Sequence, residues 1–166
     1  MKIARVAIIT LAALIFSQSV FAKGEASKDM AKTIKDSKKF SYLSDSLRRV
    51  GMMKTLHGPG PYTFFVPKNN AFDDMPYGKW VGLWNDKPMM KKVLSRGLVK
   101  GRYNEAELSG GTILHTVDGG IIKLENRDKD LWIGDEKLKE TDIQCTNGVI
   151  HIVDGFIGRE ADKKGR

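Results

Sequence analysis

The chain has 166 residues, a formal net charge of +8 and one cysteine, Cys145. A lone cysteine excludes an intramolecular disulfide, so the fold has to be held by its core, and a single domain of this length can build one. The basic residues come as scattered pairs (Lys38-Lys39, Arg48-Arg49, Lys91-Lys92, Lys163-Lys164) interleaved with acids. That spread reads as a solvated surface and argues against a nucleic-acid partner, a patch for anionic glycans or lipid headgroups being the alternative.

In the first 22 residues, Lys2 and Arg5 precede an apolar stretch that runs from Val6 to Val20, and Val20-Phe21-Ala22 puts small residues at the two positions a signal peptidase reads. Cleavage after Ala22 is expected. The stretch is too short for a membrane-spanning helix, and no later segment resembles one. Removing 22 residues from 166 leaves 144, and the charge falls to +6 because Lys2 and Arg5 leave with the leader. The product is expected to be exported, to the periplasm or beyond the cell.

Residues 23–28 form a polar lead-in, and residues 29–158 are expected to form the domain. From Asp29, Met30, Ile34, Phe40, Leu43, Leu47 and Val50 recur at near-helical spacing, which predicts two short amphipathic helices with a break near Ser37–Phe40. Gly51 suits the second helix's C-terminus. The sequence GPGP at residues 58–61 stops regular structure, and Tyr62-Thr63-Phe64-Phe65-Val66 then reads as a buried strand ended by Pro67. Asn69 or Asn70 is expected to cap the next helix, with Ala71 and Phe72 in its first turn.

Trp80 and Trp84, four apart, share a helix face. They read either as a packing pair or as an aromatic platform for sugar or another partner. Pro88 suits the first turn of the helix carrying Met89, Met90, Val93 and Leu94. Met52, Met53, Met89 and Met90 with His57 could suggest soft-metal binding, but they lie at helical spacing among leucines, which favours core filling.

After Gly101 the pattern changes to short strands at residues 112–117, 121–124, 131–133, 142–145 and 149–153. Helices first and sheet later predict an α+β fold. Residues 159–166 are left as a basic tail. Asn147-Gly148 between apolar runs predicts a type I′ hairpin, with Cys145 facing Ile150, Gln144 facing His151 and Ile143 facing Ile152. Ile143, Cys145, Ile150 and Ile152 then share a core face. His151 shares the other, mixed face with Asp142, Gln144, Thr146 and two valines, partly buried and bonded to a loop. Cys145, in this apolar strand, is expected to be buried and inert.

The motif His-x-Val-Asp-Gly occurs twice, at His115 and at His151. Strand alternation puts His151 and Asp154 on opposite sides, and His115 and Asp118 likewise, so neither copy makes a local His–Asp pair. No nucleophile elbow, phosphate loop or ligand cluster accompanies the three histidines. A structural histidine is expected, with no enzyme activity, no cofactor and no metal site.

Two segments carry a resemblance. GPGPYTFFVPKNNAF, at residues 58–72, resembles the first signature of fasciclin-like domains, in Pro67, Asn69, Ala71 and Phe72. NGVIHIVDGFI, at residues 147–157, resembles the second, in Asn147, Gly148 and His151. Residues 93–108 resemble the segment between them. Lys68 and Asn70 depart from the usual neighbours of that first asparagine. The resemblance implies a β-wedge of short strands with helices packed round it, in exported proteins that mediate adhesion through a protein or glycan partner. It also points to Asp142-Ile143 as a contact pair, while Arg96-Gly97 stands where a second pair, Tyr-His, would fall. A periplasmic carrier of ligands or metals, using methionine and histidine, is the alternative function.

Overall fold

Seven strands form one mixed sheet in the order β2-β1-β7-β6-β5-β4-β3, with most of the helices gathered on one side of it and one short helix, residues 105–108, contributing to the other. The computed structural model describes residues 26–109 and 111–158, so the expected leader and basic tail lie outside the described residues. The strands are β1 (Tyr62–Pro67), β2 (Leu98–Lys100), β3 (Ile113–His115), β4 (Ile121–Arg127), β5 (Asp130–Ile133), β6 (Glu136–Cys145) and β7 (Gly148–Val153). The helices are α1 (Met30–Asp36), α2 (Ser41–Arg49), α3 (Met53–Leu56), α4 (Asn69–Asp73), α5 (Tyr77–Asn85), α6 (Lys87–Ser95) and α7 (Glu105–Leu108). This is an α+β fold.

The predicted break between the first two helices is real. Asp29 caps α1 by accepting the Lys32 N–H at 2.7 Å, and a 3-10 turn at Lys38–Phe40 leads into α2. Gly51 follows α2 at φ +75°, where only glycine sits without strain. Asp86 caps α6 through the Met89 N–H, with Pro88 in its first turn. Asn104 and Glu107 make a reciprocal capping box on α7.

Two hydrophobic clusters lie on opposite faces of the sheet. Phe64, Val66, Ile150 and Ile152 point to the helices and join Leu43, Leu47, Leu56 and Leu94. Phe65 and Val153, on the alternate face, join Val99, Leu108, Leu114, Leu124, Ile133 and Leu138. The sheet curls until its edges touch: Val99 of β2 bridges to Thr116, and the Val117 N–H donates to the Leu98 carbonyl at 2.8 Å. The second cluster therefore fills the inside of a nearly closed sheet. Strand β7, buried along its whole length, separates the two cores.

The β6–β7 hairpin forms, but in a different register from the one expected. Cys145 pairs with Gly148, Gln144 with Val149 and Ile143 with Ile150, so the turn residues are Thr146 and Asn147. The shift is by an even number of residues, so the face assignment survives: Cys145, Ile150 and Ile152 are in the helix-side core with Ile143 half-buried beside them. Gly148 stands in the strand and not in the turn. Its glycine is required by close approach, since a Cβ there would overlap the Tyr62 carbonyl of β1 and lie 2.6 Å from Met30 Cε. Gly148→Val should lower stability by more than about 1 kcal/mol in urea denaturation, because the overlap is with backbone. An unchanged midpoint would refute the close packing of β1 on β7.

Candidate functional site

Asn147 makes three side-chain hydrogen bonds. Its Oδ1 accepts the Met30 N–H at the start of α1 (2.9 Å), and its Nδ2 donates to the Leu56 and Gly58 carbonyls (2.7 Å each). One buried carboxamide thus ties the β6–β7 turn to the start of α1, the end of α3 and the loop into β1. Pro67 ends β1, and Ala71 and Phe72 are buried in the helix-side core. Asn69 does not cap α4 through its side chain, as was expected. It begins that helix, while its Nδ2 donates to the Lys38 carbonyl and Ser41 Oγ and its Oδ1 accepts the Tyr42 N–H, closing the joint ahead of α2.

His151 is wholly buried, against the expectation of partial burial, because the face it shares with Val149 and Val153 is covered by the curled sheet. The bond to a loop is present: Nε2 lies 2.8 Å from the Tyr103 carbonyl. Nδ1 accepts the Asp142 N–H at 3.2 Å, and the ring stacks on Phe65 at 5.3 Å between centroids. One donor and one acceptor satisfy a neutral imidazole. Burial pushes its pKa below the ordinary value, although the Tyr103 carbonyl and the nearby Asp142 and Glu105 carboxylates oppose that shift. Thr63, which the strand pattern gave no reason to single out, holds Tyr103 by accepting its N–H and donating to the Gly101 carbonyl. Arg102 fastens the same loop to Gln144 and the Cys145 carbonyl.

Asp142 and Ile143 sit at a bulge of β6, where Asp142 takes φ +59°. The Asp142 carboxylate accepts the Glu105 N–H at the start of α7, and Ile143 packs against the helix-side core. Arg96 and Gly97 join α6 to β2: Arg96 donates to the Gly158 carbonyl, and the Gly97 carbonyl accepts the Phe65 N–H. Cys145 is buried against Thr33, and burial raises its thiol pKa. Asp154 pairs with Lys139, His115 is exposed, and Asp118 bonds Thr116 within its turn, so neither His-x-Val-Asp-Gly copy forms a catalytic pair. Met52 and Met90 are core residues, whereas Met89 is exposed. Among the described residues no group of three His, Cys, Asp or Glu could hold a metal ion.

Trp80 and Trp84 do pack together, 5.3 Å apart, and Trp80 meets Phe72 edge-on. The Arg49 guanidinium lies over the Trp84 ring, 4.7 Å from its centroid. Yet both tryptophans are only partly buried and, with Tyr42, Asp45, Tyr77, Val81 and Asn85, line a surface groove of 360 Å³ between α2 and α5. Tyr77 is 82% exposed. The helical spacing of the tryptophans announced the pair; Tyr42, from a separate helix, carried no such signal.

The sequence matches the family described as Fasciclin domain over residues 38–158. The chain belongs to the fasciclin family. Human periostin is 34% identical over 134 residues, covering 80% of this chain and 16% of periostin, so the chain spans a small part of that relative. An uncharacterized Synechocystis protein, sll1735, is 29% identical over 123 residues, covering 72% of this chain and 89% of its own length. The domain pair from the insect cell adhesion molecule Fasciclin I matches with a TM-score of 0.69 at 20% identity, over 82% of this chain and 53% of that one, a likeness of fold. No helix among the described residues of this fasciclin domain is long and apolar enough to cross a membrane.

Proposed function

We propose that this fasciclin domain is an exported, non-enzymatic binding module that makes adhesive contacts with a protein or glycan on a cell surface or in a matrix. The observation that carries the reading is the groove between α2 and α5, where the exposed Tyr42 and Tyr77 stand beside the partly buried Trp80 and Trp84. Half-buried Trp and Tyr side chains offer an apolar body and a polar tip, the residue chemistry enriched at recognition surfaces. The buried histidine, in contrast, is saturated by structural hydrogen bonds and faces no nucleophile. The match to a domain pair from a cell adhesion molecule supports the same direction. The leader, residues 1–22, would deliver the domain of residues 29–158 to the periplasm or beyond it.

Beads coated with the mature chain should adhere in low salt to cells or to immobilised matrix polymers more strongly than beads coated with heat-unfolded chain. Equal adhesion of the two would sink the reading. A large rise in melting temperature with copper or zinc, and no adhesion, would favour the carrier instead.

A further inference from the structure

We infer that the groove between α2 and α5 is a saccharide site that takes an uncharged pyranose ring; this rests on the binding-module reading above. Packing explains Trp80 and Trp84, which seal the helix-side core through Phe72 and Met75. Packing does not explain Tyr77, which is 82% exposed at the start of α5 and projects beside them. No residue of α5 is fully buried, and Tyr77 lines the groove together with Trp80 and Trp84.

The lining selects among occupants by charge and by hydrogen bonding. Asp45 is its one charged group, and Arg48 already pairs with it at 3.3 Å. Arg49 is already placed over Trp84, with its Nε donating to the Trp84 carbonyl. With Asp45 matched by Arg48, and Arg49 by the Trp84 ring and carbonyl, an ion of either sign would give up hydration here with no unmatched charge to meet it. A neutral occupant meets no such penalty. A purely aliphatic occupant would cover the Asn85 carboxamide and the tyrosine hydroxyls without offering them a partner, at about 1–3 kcal/mol for each polar group so buried. A sugar ring answers both demands. Its axial C–H bonds present a positive surface to the exposed rings of Tyr77 and Tyr42, beside Trp80 and Trp84, and its hydroxyls supply donors and acceptors to Asp45 and Asn85. The volume of 360 Å³ falls within the roughly 300–1,000 Å³ of small-molecule sites.

The test is tryptophan fluorescence titration of the folded mature chain with neutral tetrasaccharides of glucose, mannose and N-acetylglucosamine, beside heparin and tetramethylammonium. The expected result is saturable binding of at least one neutral tetrasaccharide, weakened about tenfold by Tyr77→Ala with the melting temperature unchanged. Tyr77 is exposed enough for that variant to fold, and Asn85→Ala gives an independent second variant. No binding of a neutral tetrasaccharide at millimolar concentration, or binding indifferent to both variants, would overturn the site. So would Tyr77-dependent binding of heparin or of tetramethylammonium alone. Bead adhesion that persists while the saccharides fail to bind would overturn this inference and leave the binding-module reading intact.

Discussion

Asn147→Asp should destabilise the domain by at least about 3 kcal/mol at neutral pH, lowering the melting temperature by on the order of 10 °C. The substitution changes one atom of the side chain. The oxygen that accepts the Met30 N–H is kept, but the nitrogen that donates to Leu56 and Gly58 becomes an oxygen facing two carbonyls. A buried carboxylate in that position loses its hydration and is repelled by the dipoles it replaces partners for. Asn147→Ala should cost somewhat less, because it strands the same backbone groups without adding a charge. The two variants also part on acidification. The new carboxyl has a raised folded pKa, so stability relative to the natural chain is recovered as pH falls and a proton restores one donor. Urea denaturation of both variants at pH 7 and near pH 5 measures this. Equal behaviour of Asp and Ala at both pH values would refute the triple role of the carboxamide.

The second large effect is at His151. His151→Ala should cost about 3–5 kcal/mol, combining a cavity beneath Phe65 with an unpartnered Tyr103 carbonyl and Asp142 N–H. The histidine also makes stability depend on pH in a stated direction. Its folded pKa is depressed, so below the ordinary imidazole value the unfolded chain binds a proton that the folded chain refuses. Stability therefore falls as pH drops from about 6.5 toward the depressed value, by at most ~1.4 kcal/mol per pH unit. The depressed carboxylates lose their contribution at lower pH: Asp29, which burial would raise but the Lys32 N–H and His57 hold down, and Glu140, held down by Lys39. His151→Phe keeps the ring against Phe65 and removes the titration. A chain whose stability falls equally steeply over that range after this substitution would place the proton elsewhere.

Much of the fold is legible in the sequence because the sequence marks it locally. The GPGP stop, the Phe-rich strand and the Asn-Gly-Val-Ile-His strand are enough to point to the domain class. The features that differ from expectation are decided by partners distant in the chain. Asn147-Gly148 is the form of a two-residue turn, yet the Asn147 side chain is drawn to α1 and α3 and the Gly148 backbone to β1, moving the turn back by one residue. Asn69 is likewise claimed by the start of α2 and not by its own helix. Strand β2 has three residues, too few for any periodicity to show. The candidate groove is half visible. Trp80 and Trp84 announce themselves four residues apart, whereas Tyr42 and Asp45 reach the same groove from α2 through tertiary packing.

The place of β7 has a consequence for how the chain comes to be folded. The last strand in sequence lies between β1 and β6, parallel to the first and bonded along its full length. A polypeptide emerging from its N-terminus therefore cannot complete the sheet until residues 148–153 arrive, and until then β1 and β6 both offer unpaired edges over unfinished cores. The segment that closes the loop is the one whose Asn147 also ties down α1 and α3, so the first helix is secured by a residue 117 positions further along the chain. A chain cut or stalled before residue 148 is left as an open, edge-exposed intermediate of the kind that associates with its own copies.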